Sequence, residues 1–255
     1  MQKPLILVTN DDGITAPGIR NLVEFMNELG EVVVVAPNSP QSGKGHAITI
    51  NQTLTFEEIS LEGPQTDYSL SGTPVDCVKF ALDKILDRKP DIVVSGINHG
   101  ANSSINVIYS GTMSAAVEAG VEGLQAIGFS LLDFSWDADF SQAKEYIQNI
   151  VNKVLENPLP KGVVLNVNIP KLPKDEIKGI KVCKQANAKW EENFDERINP
   201  HGKKYYWLTG YFNNMDKSED ADETALAQGY ISIVPVKFDL TAHEYLKELE
   251  QVMQF

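Results

Sequence analysis

The stretch Leu5-Ile6-Leu7-Val8-Thr9-Asn10-Asp11-Asp12-Gly13 decides how the rest of the chain is read. Leu5–Thr9 is continuously apolar or β-branched, with no alternation between an oily and a wet face. A strand written this way is buried on both sides, the habit of parallel sheets covered by helices. Asn10 to Gly13 are turn formers and end it abruptly. Ile19, Leu22, Val23, Phe25, Met26 and Leu29 then recur at helical spacing, and Gly30 sits where a helix would stop. Glu31-Val32-Val33-Val34-Val35-Ala36-Pro37 reads as a second buried strand. A βαβ unit is thus complete by residue 37, and its crossover must be right-handed.

The pattern repeats downstream. Ala47–Ile59 and Tyr68–Leu70 suggest short strands and turns, and Pro74 opens a helix with Thr73 as candidate N-cap. Pro90–Gly96 is another buried strand, Ser110-Gly111-Thr112 precedes a helix of small residues over 113–120, and Ala126–Leu132 is a strand. A long amphipathic helix is predicted over Ala138–Leu155, then a strand over Val163–Ile169. This alternation predicts an α/β fold, doubly wound around a mostly parallel Rossmann-like sheet. After Pro170 the texture changes. Residues 184–228 scatter Trp190, Tyr205, Tyr206, Trp207, Tyr211 and Phe212 among polar residues, which points to a projecting β-hairpin arm. Asp216–Glu223 reads as a solvated acidic loop, Tyr230–Val236 as a strand, and Thr241–Met253 as a closing helix. The expected organisation is a single α/β domain over 1–255. Its core takes in about 1–183 and 229–240, with the arm at 184–228 and the helix at 241–253.

The 255 residues include 35 acidic and 22 basic ones, for a formal charge of −13. Such a chain has no general attraction for a nucleic-acid polymer or an anionic membrane. Any anionic ligand must be held by something local. Cys77 and Cys183 form no CxxC and read as reduced core thiols. No stretch approaches the ~18 apolar residues of a membrane span, and Leu5–Val8 is too short for the apolar core of a signal peptide. These features together predict a cytoplasmic location and no membrane partner.

Three buried strands end in polar loops: Asn10–Gly13, Pro37–Gly43, and Ser95-Gly96-Ile97-Asn98-His99-Gly100-Ala101-Asn102. Open α/β sheets bind ligands outside the carboxyl ends of their strands, so Asp11, Asp12, a serine near 42 and Asn98 can converge. Adjacent carboxylates at the end of a buried strand repel one another unless a cation or proton intervenes. Two carboxylates, a hydroxyl and an amide carbonyl suit one hard divalent metal ion, Mg²⁺, Mn²⁺ or Ca²⁺, better than zinc. Four protein ligands would leave about two of six octahedral positions open, the requirement for metal-assisted hydrolysis. Ser110-Gly111-Thr112, opening a helix, offers N–H groups and hydroxyls to a phosphate, or alternatively an ordinary N-cap. There is no GxxxxGK[ST] loop. Of the histidines, His46, His201 and His243 read as surface or capping residues, whereas His99 stands beside the presumed site.

The motif set resembles that of the survival protein E (SurE) family of nucleotidases. The resemblance runs through Ile6–Gly13 with Ala16-Pro17-Gly18-Ile19, Val35-Ala36-Pro37 with Gln41-Ser42-Gly43, and Gly72–Val78. It continues in Pro90–Asn98 with Gly100 and Asn102, Tyr109–Thr112, and Asp239-Leu240-Thr241. It implies a divalent-metal-dependent phosphatase for nucleoside 5′- and 3′-monophosphates, with Asp11, Asp12, Ser42 and Asn98 as metal ligands. The mechanism expected on that ligand set takes Asp11 and Asp12 as catalytic, Asp11 as the base and Asp12 chiefly as a ligand, with Gly13, Asn102, Ser110, Gly111 and Thr112 as candidates for binding substrate. It also implies a homodimer or homotetramer through the 184–228 arm. His99 and Ser103-Ser104 depart from the usual pattern without touching the ligands. Two rivals stay open on the residues alone. One is an aspartyl-phosphate phosphatase with Asp11 as nucleophile, though such enzymes favour DxD over Asp-Asp-Gly. The other is a non-enzymatic phosphoacceptor signalling domain, although such domains are about half this length.

Overall fold

The computed structural model describes residues 3–135 and 137–253. Strand β1 (Leu5–Thr9) is buried at every position, and its side chains alternate between two separate cores. Ile6 and Val8 face one helical layer while Leu7 faces the other. The period-2 geometry of a strand therefore turns a uniformly apolar run into the wall between two cores.

From β1 the chain runs through α1 (Pro17–Asn27) into β2 (Glu31–Pro37), which lies parallel to β1. β3 (Phe56–Ile59) and β4 (Thr66–Leu70) extend that side of the sheet. Helix α2 (Pro74–Phe80) runs on as a π-helical turn over Ala81–Ile85 and returns the chain to β5 (Ile92–His99), on the opposite flank of β1. Helix α3 (Gly111–Val121), β6 (Ala126–Leu131), α4 (Lys144–Glu156) and β7 (Val163–Ile169) follow. The chain then forms β8 (Ile180–Val182) and a separate antiparallel hairpin, β9 (Ala188–Ile198) and β10 (Lys204–Asn214). A short helix, α5 (Asp222–Ala227), leads to β11 (Ile231–Lys237), and α6 (Leu246–Val252) closes the described chain.

The main sheet has nine strands in the order β3-β4-β2-β1-β5-β6-β7-β11-β8. It is parallel except at β3/β4 and β7/β11. Helices α1 and α4 cover one face with Ile19, Leu22, Met26, Ile147, Ile150 and Val151. Helices α2 and α3 cover the other with Cys77, Val78, Met113, Ala115, Ala116 and Ala119. This is the doubly wound architecture the sequence predicts. The strand order reverses between β1 and β5, and the crevice at their carboxyl ends is where such sheets bind ligands. Thr9 and Ser95 are register partners there, which brings the Asp11 loop and the Asn98 loop together.

Local chemistry explains the element ends. The Thr73 hydroxyl accepts from Asp76 N and the Asp76 carboxylate accepts from Thr73 N, a complete capping box with Pro74 in the first turn. Gly18 is obligatory in α1 because a Cβ there would lie 2.0 Å from the Ile97 carbonyl oxygen. The helix can therefore lie against the end of β5, where pairing with β6 shifts register between Ser95 and Asn98. A β-bulge of this kind re-aims the side chains that follow it.

Four expectations need correction. Only Phe56–Ile59 of the 47–59 stretch pairs as a strand. The preceding loop is instead pinned by Asp76, which accepts from Thr49 N and Oγ1, and by the Ala47 carbonyl, which accepts from Thr73 Oγ1. The helix predicted from 138 starts at Lys144, because the Asp139 carboxylate accepts from Ser141 N and supports a separate 3₁₀ turn over Ser141–Ala143. The closing helix shrinks to Leu246–Val252, and its apolar residues are exposed. The acidic run Asp216–Glu223 is not all solvated: Asp222 is fully buried and starts α5, whose Ala225 and Leu226 are buried too. The hairpin is thus confined to 188–214. Its strands are eleven residues each and mostly exposed.

Candidate active site

Asn10 and Gly13 shape the turn after β1. Gly13, at φ 100°, takes a conformation few other residues tolerate. Its carbonyl accepts from Asn10 Nδ2 at 2.9 Å and from Ala16 N at 3.0 Å. The turn leaves Asp11 and Asp12 side by side at the end of the sheet.

Asp11 is 3% exposed, and burial pushes its carboxyl up to about 6. The neighbouring Asp12 charge pushes the same way, against hydrogen bonding from Thr112. Thr112 Oγ1 donates to Asp11 Oδ1 at 2.5 Å. Helix α3 comes in close enough to do this because residue 111 is Gly: a Cβ there would lie 2.5 Å from Asp11 Cβ. The start of α3 therefore meets Asp11 directly, and the partial positive charge of a helix N-terminus favours its carboxylate form.

Asp12 is also raised by burial, opposed by the His99 charge, the His99 backbone and Ser42. Its Oδ1 lies 3.5 Å from Ser42 Oγ, at the outer limit of hydrogen bonding. Its Oδ2 is buried and has no hydrogen-bond partner. The Ser42 loop is tied in by Gln41 N, which donates to the Asp11 carbonyl at 2.7 Å. Asn98 Nδ2 donates to the carbonyls of His99, at 3.2 Å, and Gly100, at 2.8 Å. With its amide nitrogen turned onto its own loop, Asn98 keeps Oδ1 available as a donor to a cation.

An unpartnered buried carboxylate oxygen beside a second buried carboxylate is costly unless a positive charge sits between them. Among the described residues no group of three or more His, Cys, Asp or Glu side chains converges that could hold a metal ion. Neutral oxygens that could join Asp11 and Asp12 are Ser42 Oγ, beside Asp12, and Asn98 Oδ1, near the end of the neighbouring strand β5. That set fits a hard divalent cation.

A family model described as "Survival protein SurE" matches residues 6–192. The chain belongs to the SurE family. It is 67% identical to the 5′-nucleotidase SurE of Christiangramia forsetii, over 97% of this chain and 96% of that one. It is 59% identical to the 5′-nucleotidase SurE of Cytophaga hutchinsonii, over 100% of this chain and 99% of that one. Among solved structures it resembles the SurE protein of Aquifex aeolicus, with a TM-score of 0.85 and 38% identity, covering 98% of this chain and 100% of that one.

Within this SurE fold the expected substrate-binding residues are partly committed to internal bonds. Ser110 is the N-cap of α3, accepting from Met113 N at 3.0 Å, and the Thr112 hydroxyl is spent on Asp11. Asn102 is held on three sides. Its N donates to Asn168 Oδ1, its Nδ2 to Ser130 Oγ, and its carbonyl accepts from Asn166 Nδ2, all at 2.8 Å. The Asn102 NH₂ carries two hydrogens, and the bond to Ser130 uses one of them.

Histidine roles also resolve. His99 sits edge-on to Phe140, with ring centroids 5.1 Å apart, and its charge acts on Asp12. His46 Nε2 lies 2.8 Å from the buried Glu118, which also meets Lys79. His243 Nε2 lies 2.7 Å from Asp239 at the exposed C-terminal segment, and His201 is exposed in the hairpin turn.

Sequence reasoning missed Phe134. This ring is 83% exposed and lies over Gly100, where a Cβ would come within 2.1 Å of it. An isolated Phe in a loop carries no periodic signal, so only the structure shows it beside the Asn98 loop.

The Asp11–Asp12 repulsion has a measurable consequence. In metal-free protein, Asp12→Asn should raise the melting temperature by a few degrees, about 1 kcal/mol for a chain this size. Added Mn²⁺ should stabilise the parent and not the variant. Equal Mn²⁺ stabilisation of both in a thermal-shift series would show that the pair is not a cation site.

Proposed function

We propose that this SurE-family protein hydrolyses nucleoside 5′- and 3′-monophosphates to nucleoside and phosphate, using one divalent cation held by Asp11, Asp12, Ser42 and Asn98. The observation that carries this reading is the Asp11–Asp12 pair at the switch point, Asp11 buried and Asp12 half-buried, with Asp12 Oδ2 left unpartnered. The relatives named 5′-nucleotidase SurE, matched over nearly their whole length, point to the same activity. The bound cation would neutralise the two carboxylates and polarise a phosphoryl oxygen.

The chain's own residues supply the rest. Asp11 Oδ2, the oxygen that Thr112 Oγ1 does not occupy, takes a proton from the attacking water. Phosphorus gains the water oxygen and its bond to the ribose oxygen breaks; that oxygen takes a proton from solvent water to leave as the nucleoside hydroxyl, and Asp11 returns its proton to solvent. Asn102 and the N–H groups of Gly13, Gly111 and Thr112 steady the remaining phosphoryl oxygens, where transition-state charge accumulates. Ser110 serves this cradle as the helix cap. Phe134 offers the base an aromatic face. The reduced thiols Cys77 and Cys183, both buried, support a reducing, cytoplasmic setting. No helix among the described residues is long and apolar enough to cross a membrane. The exposed Phe194, Tyr206, Trp207, Leu208 and Tyr211 of the hairpin support its use as the contact with further copies of the chain.

Phosphate release from a panel of 5′- and 3′-monophosphates should require Mg²⁺ or Mn²⁺ and stop with EDTA. Asp11→Asn should lose at least about 100-fold in kcat. Acid-quenched samples should carry no phosphoenzyme. Parent-level turnover by Asp11→Asn, or a trapped phosphoenzyme, would sink the scheme.

Phe134→Ala should raise KM for a nucleoside monophosphate by about tenfold, within the range of base–aromatic stacking. Ribose 5-phosphate, which has no base, should be hydrolysed unchanged by the same variant. A parallel loss on both substrates would place the effect on the loop instead.

Light scattering should find a dimer or tetramer for the full chain, and a smaller species when 189–213 is replaced by a short turn. An unchanged mass would remove the hairpin from the assembly.

A further inference from the structure

The segment returning from the hairpin carries two carboxylates that the reaction does not use. Asp222 is fully buried. Its carboxylate accepts from the backbone N–H groups of Ser104 at 2.8 Å, Ala186 at 3.0 Å and Glu223 at 2.8 Å. Burial pushes its carboxyl up, and those backbone donors work against the shift. Glu223, also raised by burial, accepts from Ser103 Oγ at 2.5 Å. A buried carboxylate satisfied by backbone N–H groups is a rigid tie, since removing it leaves several donors orphaned.

What these ties hold is the connection from β5 to α3. Asn102, Ser103 and Ser104 are each bound to residues distant in sequence: Asn102 to Asn166, Asn168 and Ser130, Ser103 to Glu223, and Ser104 to Asp222. Ser104 also donates through Oγ to the Ala186 carbonyl at 2.8 Å. It sits at φ 52°, a left-handed conformation that a serine keeps only when its surroundings impose it. Two residues on, Asn106 Oδ1 accepts from Trp190 Nε1 at 2.8 Å. Ser104 begins the 3₁₀ turn Ser104–Ile108, and Ser110 and α3 follow at once. The foot of β9 with the residues just before it, at 186–190, and the start of α5, at 222–223, therefore grip the connection that carries Asn102 and sets the start of α3.

We propose that Asp222 and Glu223 are positioning residues for phosphate binding, fixing Ser103 and Ser104 so that Asn102 and the N-terminus of α3 meet the phosphoryl group. This rests on the phosphatase reading above. The metal ligands lie on other loops or before Asn102, so the two carboxylates should affect phosphate affinity and leave metal affinity alone.

The test uses the full-length chain with Asp222→Asn, Glu223→Ala, Glu223→Gln and Ser103→Ala. Glu223→Ala should raise both KM for a nucleoside monophosphate and the inhibition constant of inorganic phosphate by about tenfold. Glu223→Gln should recover most of this, because its amide oxygen still accepts from Ser103. Ser103→Ala should match Glu223→Ala, and the double variant should be no worse than either single one. Asp222→Asn should show a larger rise. Mn²⁺ affinity by calorimetry should stay within twofold of the parent throughout. Lower melting temperatures with unchanged KM and phosphate inhibition would make the carboxylates merely structural and overturn the proposal. So would a matching loss of Mn²⁺ affinity. Should Asp222→Asn fail to fold, the Glu223 and Ser103 variants decide alone. A parent that releases no phosphate from any nucleotide would defeat the phosphatase reading itself, an outcome distinct from active parent and unchanged variants.

Discussion

The repulsion between Asp11 and Asp12 is the constraint around which this end of the molecule is built. A strand buried on both faces delivers its last residues into the interior of a sheet edge, and here those residues include two adjacent carboxylates. Every neighbour moderates the resulting charge without removing it. Thr112 donates to Asp11, Ser42 and the His99 backbone reach Asp12, and Gly111 lets the helix start come close. Asp12 Oδ2 still lacks a partner. A fold that left this charge for no purpose would be carrying several kcal/mol of avoidable cost. The arrangement makes sense when a cation completes it.

The support for this edge is a row of small polar residues where an ordinary buried sheet would place aliphatic ones. Asn98, Ser130, Asn168 and Ser232 are successive register partners across β5, β6, β7 and β11. Asn166 and Asn168 extend the polar layer from β7 to the backbone of Asn102 and to each other. Hydrogen bonds have direction where apolar contacts do not, so a polar layer fixes a loop in one place. The same strands revert to Val, Ile and Leu below this layer, where only burial matters.

Legibility followed the range of the interaction concerned. The buried strands and the two carboxylates could be read because each is written in consecutive residues. The Thr73 N-cap could be read because it stands directly before Pro74 and the helix it caps. Loops closed by distant partners could not. Nothing near Asp222 says that the N–H groups of Ser104 and Ala186 will bury it, so an acidic run looked solvated. Likewise Ser110-Gly111-Thr112 read equally as a phosphate site or an ordinary N-cap until the fold assigned the Ser110 hydroxyl to the cap and the Thr112 hydroxyl to Asp11. The long helix predicted from 138 forms but starts later for a short-range reason, since Asp139 stabilises a turn that periodicity alone cannot see.

The start of α3 gives a reason for the proposed cation and phosphate to act together. A helix N-terminus has a limited number of unpaired N–H groups, and in this protein Asp11 already draws on them. An incoming phosphate competes with that carboxylate for the same donors, and it is repelled by both aspartates as it approaches. With net charge −13, the surface around it offers no compensating attraction. Neutralising Asp11 and Asp12 removes the repulsion and relaxes the carboxylate's demand on the helix in one event. On the proposed reading, the acidity that disfavours polyanions at the surface would also make a small phosphate ester depend on a cation held by Asp11 and Asp12.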